Sequence, residues 1–155
     1  MQTTVPSELA EMVRAAPVRE VGFHFRGVRL TDDIRTETEN FAFCLNDERP
    51  WLVIAVDNSL GDPLLVDASA PPYAVYFVTH DLDDEPEQIA DSAESFLRLL
   101  AAFQALVAKH RALVSDSDVP LSPAAAQAFM DSMKAANPAS DPWYWEKLVG
   151  IEIDE

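Results

Sequence analysis

From residue 21 to residue 79 the apolar positions alternate or run together, and from residue 89 onward they recur at intervals of three and four. The first pattern belongs to strands and the second to helices, because side chains repeat every 2.0 residues along a strand and every 3.6 around a helix. Val21, Phe23 and Phe25 alternate with Gly22, His24 and Arg26, and Phe41, Phe43 and Leu45 alternate again. With Thr31-Asp32-Asp33 as a turn, these two runs are expected to form a hairpin, and the cluster from Asn46 to Pro50 turns the chain back. Residues 51–56 are almost continuously apolar, as in a central strand covered on both faces. Gly61 in the following turn is free to take positive φ. Further strands are expected at 64–66 and 73–79, with short connections that favour antiparallel neighbours in a meander.

Four helices are expected around this sheet. Ser7 caps a short one over residues 8–15, with Leu9, Met12 and Val13 on one stripe, read as a loosely docked lid. Ile89, Ala93, Phe96, Leu97, Leu100, Phe103 and Val107 mark a long amphipathic helix that opens at Pro86 and covers one sheet face. Ser122-Pro123 starts a third helix that Asn137-Pro138 stops near Ala136. Asp141-Pro142 starts a last short helix carrying Trp143, Tyr144 and Trp145, with Gly150 at its end. The expected fold is therefore α+β: a mainly antiparallel sheet of about five or six strands, a long helix on one face and a helical C-terminal extension over residues 115–155. At 155 residues and 48% hydrophobic content, one domain spanning 1–155 can bury its own core.

Charge narrows the partners. With 27 acidic and 11 basic residues the formal charge is −16. Nucleic acid is not expected as a ligand, since phosphate binding needs a Lys/Arg footprint, and an anionic membrane surface is disfavoured for the same reason. A basic protein partner fits, although acidity also serves solubility alone. The single cysteine, Cys44, excludes an intramolecular disulfide and a multi-cysteine zinc cage, and it sits in an apolar alternating run that suits packing. The opening Met1-Gln2-Thr3-Thr4-Val5-Pro6 lacks a basic segment and an apolar core, and no apolar run approaches the length of a membrane span. A cytoplasmic location is expected.

No catalytic constellation is visible. His24, His80 and His110 are scattered, and with four glycines the chain holds no phosphate loop, nucleophile elbow or dinucleotide fingerprint. His80, Asp81, Asp83, Asp84, Glu85 and Glu87 put six oxygen or nitrogen donors within eight residues. The sharp-turn glycine and distal glutamate of a calcium loop are missing, so a solvated acidic loop is the expectation, with no metal and no cofactor. Trp143, Tyr144 and Trp145 are consecutive, so one helical stripe cannot bury all three. They either staple the tail to the sheet or offer an interface anchor.

The Asp57-to-Leu100 segment carries a resemblance. Ile54-Ala55-Val56-Asp57 and Leu64-Leu65-Val66-Asp67 around a Gly61-Asp62 turn, then Ala74-Val75-Tyr76-Phe77 ending at His80, then Ile89-Ala90-Asp91-Ser92 leading to Phe96 and Leu100, follow the order of the SUKH superfamily. That family includes bacterial immunity proteins and relatives of the yeast Smi/Knr cell-wall regulators. The stretch before Phe41 lacks the family's Leu-Pro helical opening and Asn-Gly turn, and the tail beyond Ser115 reads as a specialised addition. The resemblance implies a non-catalytic protein that neutralises a cognate toxin domain, such as a nuclease, by contact. A regulatory or scaffolding module of the same fold is the alternative. On either reading the expected partner-binding residues are Asp57, Asp62, Asp81, Asp83, Asp84, Glu85, Trp143 and Trp145, with oligomeric state open.

Overall fold

In the computed structural model, which describes residues 4–24, 26–41, 48–59, 61–78, 85–114 and 119–150, the sheet begins with a tighter hairpin than expected. Strand β1 (Glu20–Phe23) pairs with β2 (Arg26–Leu30), and His24 takes positive φ at the turn. Gly27 permits this closure, because a Cβ there would lie 2.6 Å from the Val21 carbonyl oxygen. Val28 and Leu30 then point inward beside Val21 and Phe23. The expected partner strand at Phe41, Phe43 and Leu45 is thus replaced as the hairpin arm, and residues 42–47 lie outside the described residues.

Thr31-Asp32-Asp33 leads into a helix, α2 (Ile34–Asn40), that has one buried apolar residue and therefore no stripe to read. Local capping makes it: Asp33 Oδ1 accepts from the backbone N–H of Arg35 at 3.0 Å and of Thr36 at 3.3 Å. Thr38 Oγ1 accepts from Val53 N at 2.9 Å, just where the register of β3 (Trp51–Asp57) shifts between Val53 and Ala55. The helix thereby satisfies a strand N–H that β2, which ends its pairing at Ala55, does not reach.

β3 is buried along its whole length, as its apolar run predicts. It is followed by β4 (Pro63–Asp67), β5 (Val75–Phe77) and β6 (Glu87–Ala90), giving a six-stranded antiparallel meander in sequence order. β6 falls where the long helix was expected to open. Gln88 pairs with Tyr76 and Glu87 with Phe77, so residues 87–90 gain ladder bonds that a helical turn would forgo. The helix proper, α3 (Ala93–Leu113), starts at the Ser92 cap, whose Oγ accepts from Ser95 N at 3.0 Å. Its buried stripe is Phe96, Leu100, Phe103 and Val107, as the periodicity predicts.

α1 (Ser7–Ala15), α3, α4 (Pro123–Ala136) and α5 (Trp143–Val149) share one core with a single sheet face. The sequence is α+β with a long helix over one face and C-terminal helices beyond it. α1 is no loose lid: Leu9 is 0% exposed and Val13 2%, and Ser7 lies inside its first turn instead of capping it. Arg19 donates to the Val13 and Arg14 carbonyls and closes its far end. Phe129, Met130 and Met133 of α4 and Tyr144 and Trp145 of α5 join the same core. A smaller apolar cluster of Trp51, Val53, Val56, Leu65 and Val78 occupies the other face.

The β6 edge is closed by the α4–α5 connection, which answers the open-edge problem of a meander. Buried Asn137 accepts from Asp91 N at 2.8 Å and from Ser95 Oγ at 2.7 Å, and donates to Met133 O at 3.1 Å. Ser140 Oγ donates to Asp91 Oδ1 at 2.6 Å, and Asp141 N donates to Gln88 O at 2.9 Å. These bonds carry the chain to the end of the sheet where α5 begins.

Candidate functional site

α5 is a seven-residue helix set across the sheet end formed by the β1–β2 turn, the β3–β4 turn and the start of β6. Asp141 Oδ1 accepts from Trp143 N at 2.9 Å to open it, and Gly150, at φ 82°, closes it. The Lys147 carbonyl accepts from the Arg26 guanidinium. Of the three consecutive aromatics, two go inward. Trp145 is 0% exposed, lies between Phe96 and Phe129 with ring centroids 6.0 and 6.1 Å away, and donates its indole N–H to Ile89 O at 2.7 Å. Tyr144 packs on Phe77 and donates its hydroxyl to Asp57 Oδ2 at 2.6 Å.

That contact fixes the role of the β3–β4 turn. Asp57 Oδ1 accepts from Ser59 N at 2.8 Å, while the Asp57 backbone bonds Asp62 O and Gly61 N at 2.8 and 2.9 Å. Gly61 takes φ 77°, as the turn requires. Asp57 and Asp62 are 7% and 3% exposed. Burial raises the Tyr144 hydroxyl well above the ordinary phenol range, with the charge of Asp57, the hydrogen bond to it and the charge of Asp62 adding to the effect.

Of the expected binding residues, Asp57, Asp62 and Trp145 are therefore withdrawn from solvent and hold the fold together. The reason is tertiary: a turn carboxylate and an indole N–H find internal partners on elements far away in sequence. Asp81, Asp83 and Asp84 lie outside the described residues. Glu85 is exposed. Trp143 is half-buried, 6.3 Å from Phe77, with Lys147 Nζ 4.0 Å above its ring. The structure brings Glu85 and Trp143 to one corner and adds Glu87, Asp141 and Glu146, which the sequence reading did not assign to a site.

Glu87 and Asp141 carry the electrostatics of this corner. Partial burial, then a hydrogen bond to Asp141 and the charge of Asp141, raise the Glu87 carboxyl from 4.5 to about 7. Their 54-residue separation in the chain gives no sequence signal; only the Asp141-Pro142 helix start marks one of them. Acidic groups around a partly open indole suit cationic side chains with apolar stems. Among the described residues no group of three or more His, Cys, Asp or Glu is arranged to hold a metal ion, and no helix is long and apolar enough to cross a membrane. No family model, no curated protein and no solved structure matches the chain.

Proposed function

We propose that this chain is a cytoplasmic immunity protein of the SUKH type, which neutralises a cognate bacterial toxin domain by protein contact and without catalysis. The observation that supports this reading is the corner where Trp143 stands among Glu85, Glu87, Asp141 and Glu146 on a chain of net charge −16. Such a surface complements the basic cleft of a nuclease: the long-range field raises the association rate and the indole supplies a short-range anchor. Asp57 and Asp62 contribute to that field from beneath the surface and make no direct contact with the partner.

The test is co-expression with the product of the neighbouring reading frame. Rescue of cells from that product, with capture of the two proteins together, supports immunity; capture of a housekeeping protein instead supports a regulatory module of the same fold. With the captured partner, association should slow steeply as salt is added, and a rate insensitive to ionic strength rejects the electrostatic mechanism. Trp143→Ala should weaken binding roughly tenfold while leaving the fold intact.

A further inference from the structure

Asp141 occupies an unusual position in the connection that closes the β6 edge. Its backbone N–H bonds Gln88 O at 2.9 Å, its Oδ1 accepts from Trp143 N at 2.9 Å, and its carboxylate meets the side chain of Glu87 on the strand it covers. One residue thus ties the connection to β6, opens α5 and faces another carboxyl. Two ionised carboxylates at such a contact repel, whereas a neutral carboxyl donates a hydrogen bond to its neighbour.

We propose that the Glu87–Asp141 contact is a proton-dependent latch on the start of α5: with a proton between the two carboxyls the connection stays closed on β6, and after its loss to solvent residues 139–143 disengage first. The surroundings supply no other counter-charge. Phe77, the β5 partner of Glu87, is apolar. Gln88 engages Ser140 and Asp91 with its amide, and Lys147 is held over the Trp143 ring. Glu85, two residues ahead, carries the same sign as the pair, so Asp141 is the charged group that acts on Glu87 among the described residues. The elevated titration point of Glu87 agrees in direction, since the closed form binds a proton that the open form releases. This device is independent of what the corner binds.

The closed form is fully favoured below the ordinary carboxyl value of 4.5, and the advantage is lost as pH rises to about 7. Amide exchange across 139–150, corrected for the base dependence of intrinsic exchange, should show local opening increasing on the order of tenfold between pH ~5 and ~7.5. Glu87→Gln keeps a hydrogen-bond donor but cannot titrate, so its opening should be flat across that range. A native chain whose profile matches that of Glu87→Gln overturns the latch. Should the variant fail to fold, the carboxyl carbon of Glu87, followed by NMR in the native chain, decides: a midpoint near 7 supports the latch, and one near 4.5 removes it.

Discussion

Two acidic contacts hold α5 to the end of the sheet, and they use opposite chemistry. At Asp57 the donor is a phenol, buried and raised above its ordinary range, so the proton stays on Tyr144 throughout the neutral range. At Asp141 the donor is a carboxylic acid at the rim, which gives up its proton near neutrality. Both bonds satisfy a carboxylate, but one is a fixed joint and the other depends on solution conditions. The helix is therefore pinned through its inward aromatic side, Tyr144 and Trp145, while its first turn, with Trp143, sits over the titratable contact. Depth, and the acidity of the donor, make the difference.

The largest expected effect breaks both contacts at once. Trp145→Ala removes a fully buried indole from between Phe96 and Phe129 and leaves Ile89 O without its donor, at a cost of about 3–5 kcal/mol by denaturant unfolding. A cost under about 1 kcal/mol would mean that α5 is peripheral to the core. Next, Tyr144→Phe strands the Asp57 carboxylate and should destabilise by about 1.5–3 kcal/mol. Because the phenol does not titrate there, that deficit should be the same at pH ~5 and pH ~7.5. A deficit that changes with pH would erase the contrast between the two joints.

The third effect belongs to the rim. Glu87 is raised in the folded chain, which therefore holds more protons than the unfolded chain between 4.5 and about 7. Stability relative to Glu87→Gln should accordingly fall by about 1 kcal/mol across that window, the modest size reflecting solvent screening at a rim position. Parallel unfolding series on the two proteins measure it, and a rising difference would reverse the assignment. Smallest of all, Glu85→Gln should leave stability within about 0.5 kcal/mol, yet slow association with a basic partner at low salt. Stopped-flow mixing separates the two readouts.

Most of the framework was legible because it rests on local patterns. The apolar run at 51–57, the Gly61 turn, the Phe96 to Val107 stripe and the Ser122 cap each announce an element within a few residues. α2 was hidden because a cap and seven mostly polar residues carry no stripe. β6 was hidden because Ile89 falls in phase with the helix that follows it, while its pairing with β5 is decided across a loop. For the site, the reading identified Trp143 and Glu85 but misjudged depth: acidic turn residues are usually exposed, and nothing near Asp57 in the chain reveals that Tyr144 will cover it.

By itself, then, the sequence determined the class of fold, the limits of its strongest helices, the acidic character of the surface and the impossibility of burying three consecutive aromatics on one stripe. Tertiary structure alone decided which carboxylates became internal hydrogen-bond acceptors and which stayed at the rim. It also chose which of the three aromatics faced outward and set Glu87 against Asp141. Periodicity and capping act over one or two turns of chain, whereas desolvation and charge coupling depend on distances that exist only once the strands and helices have met.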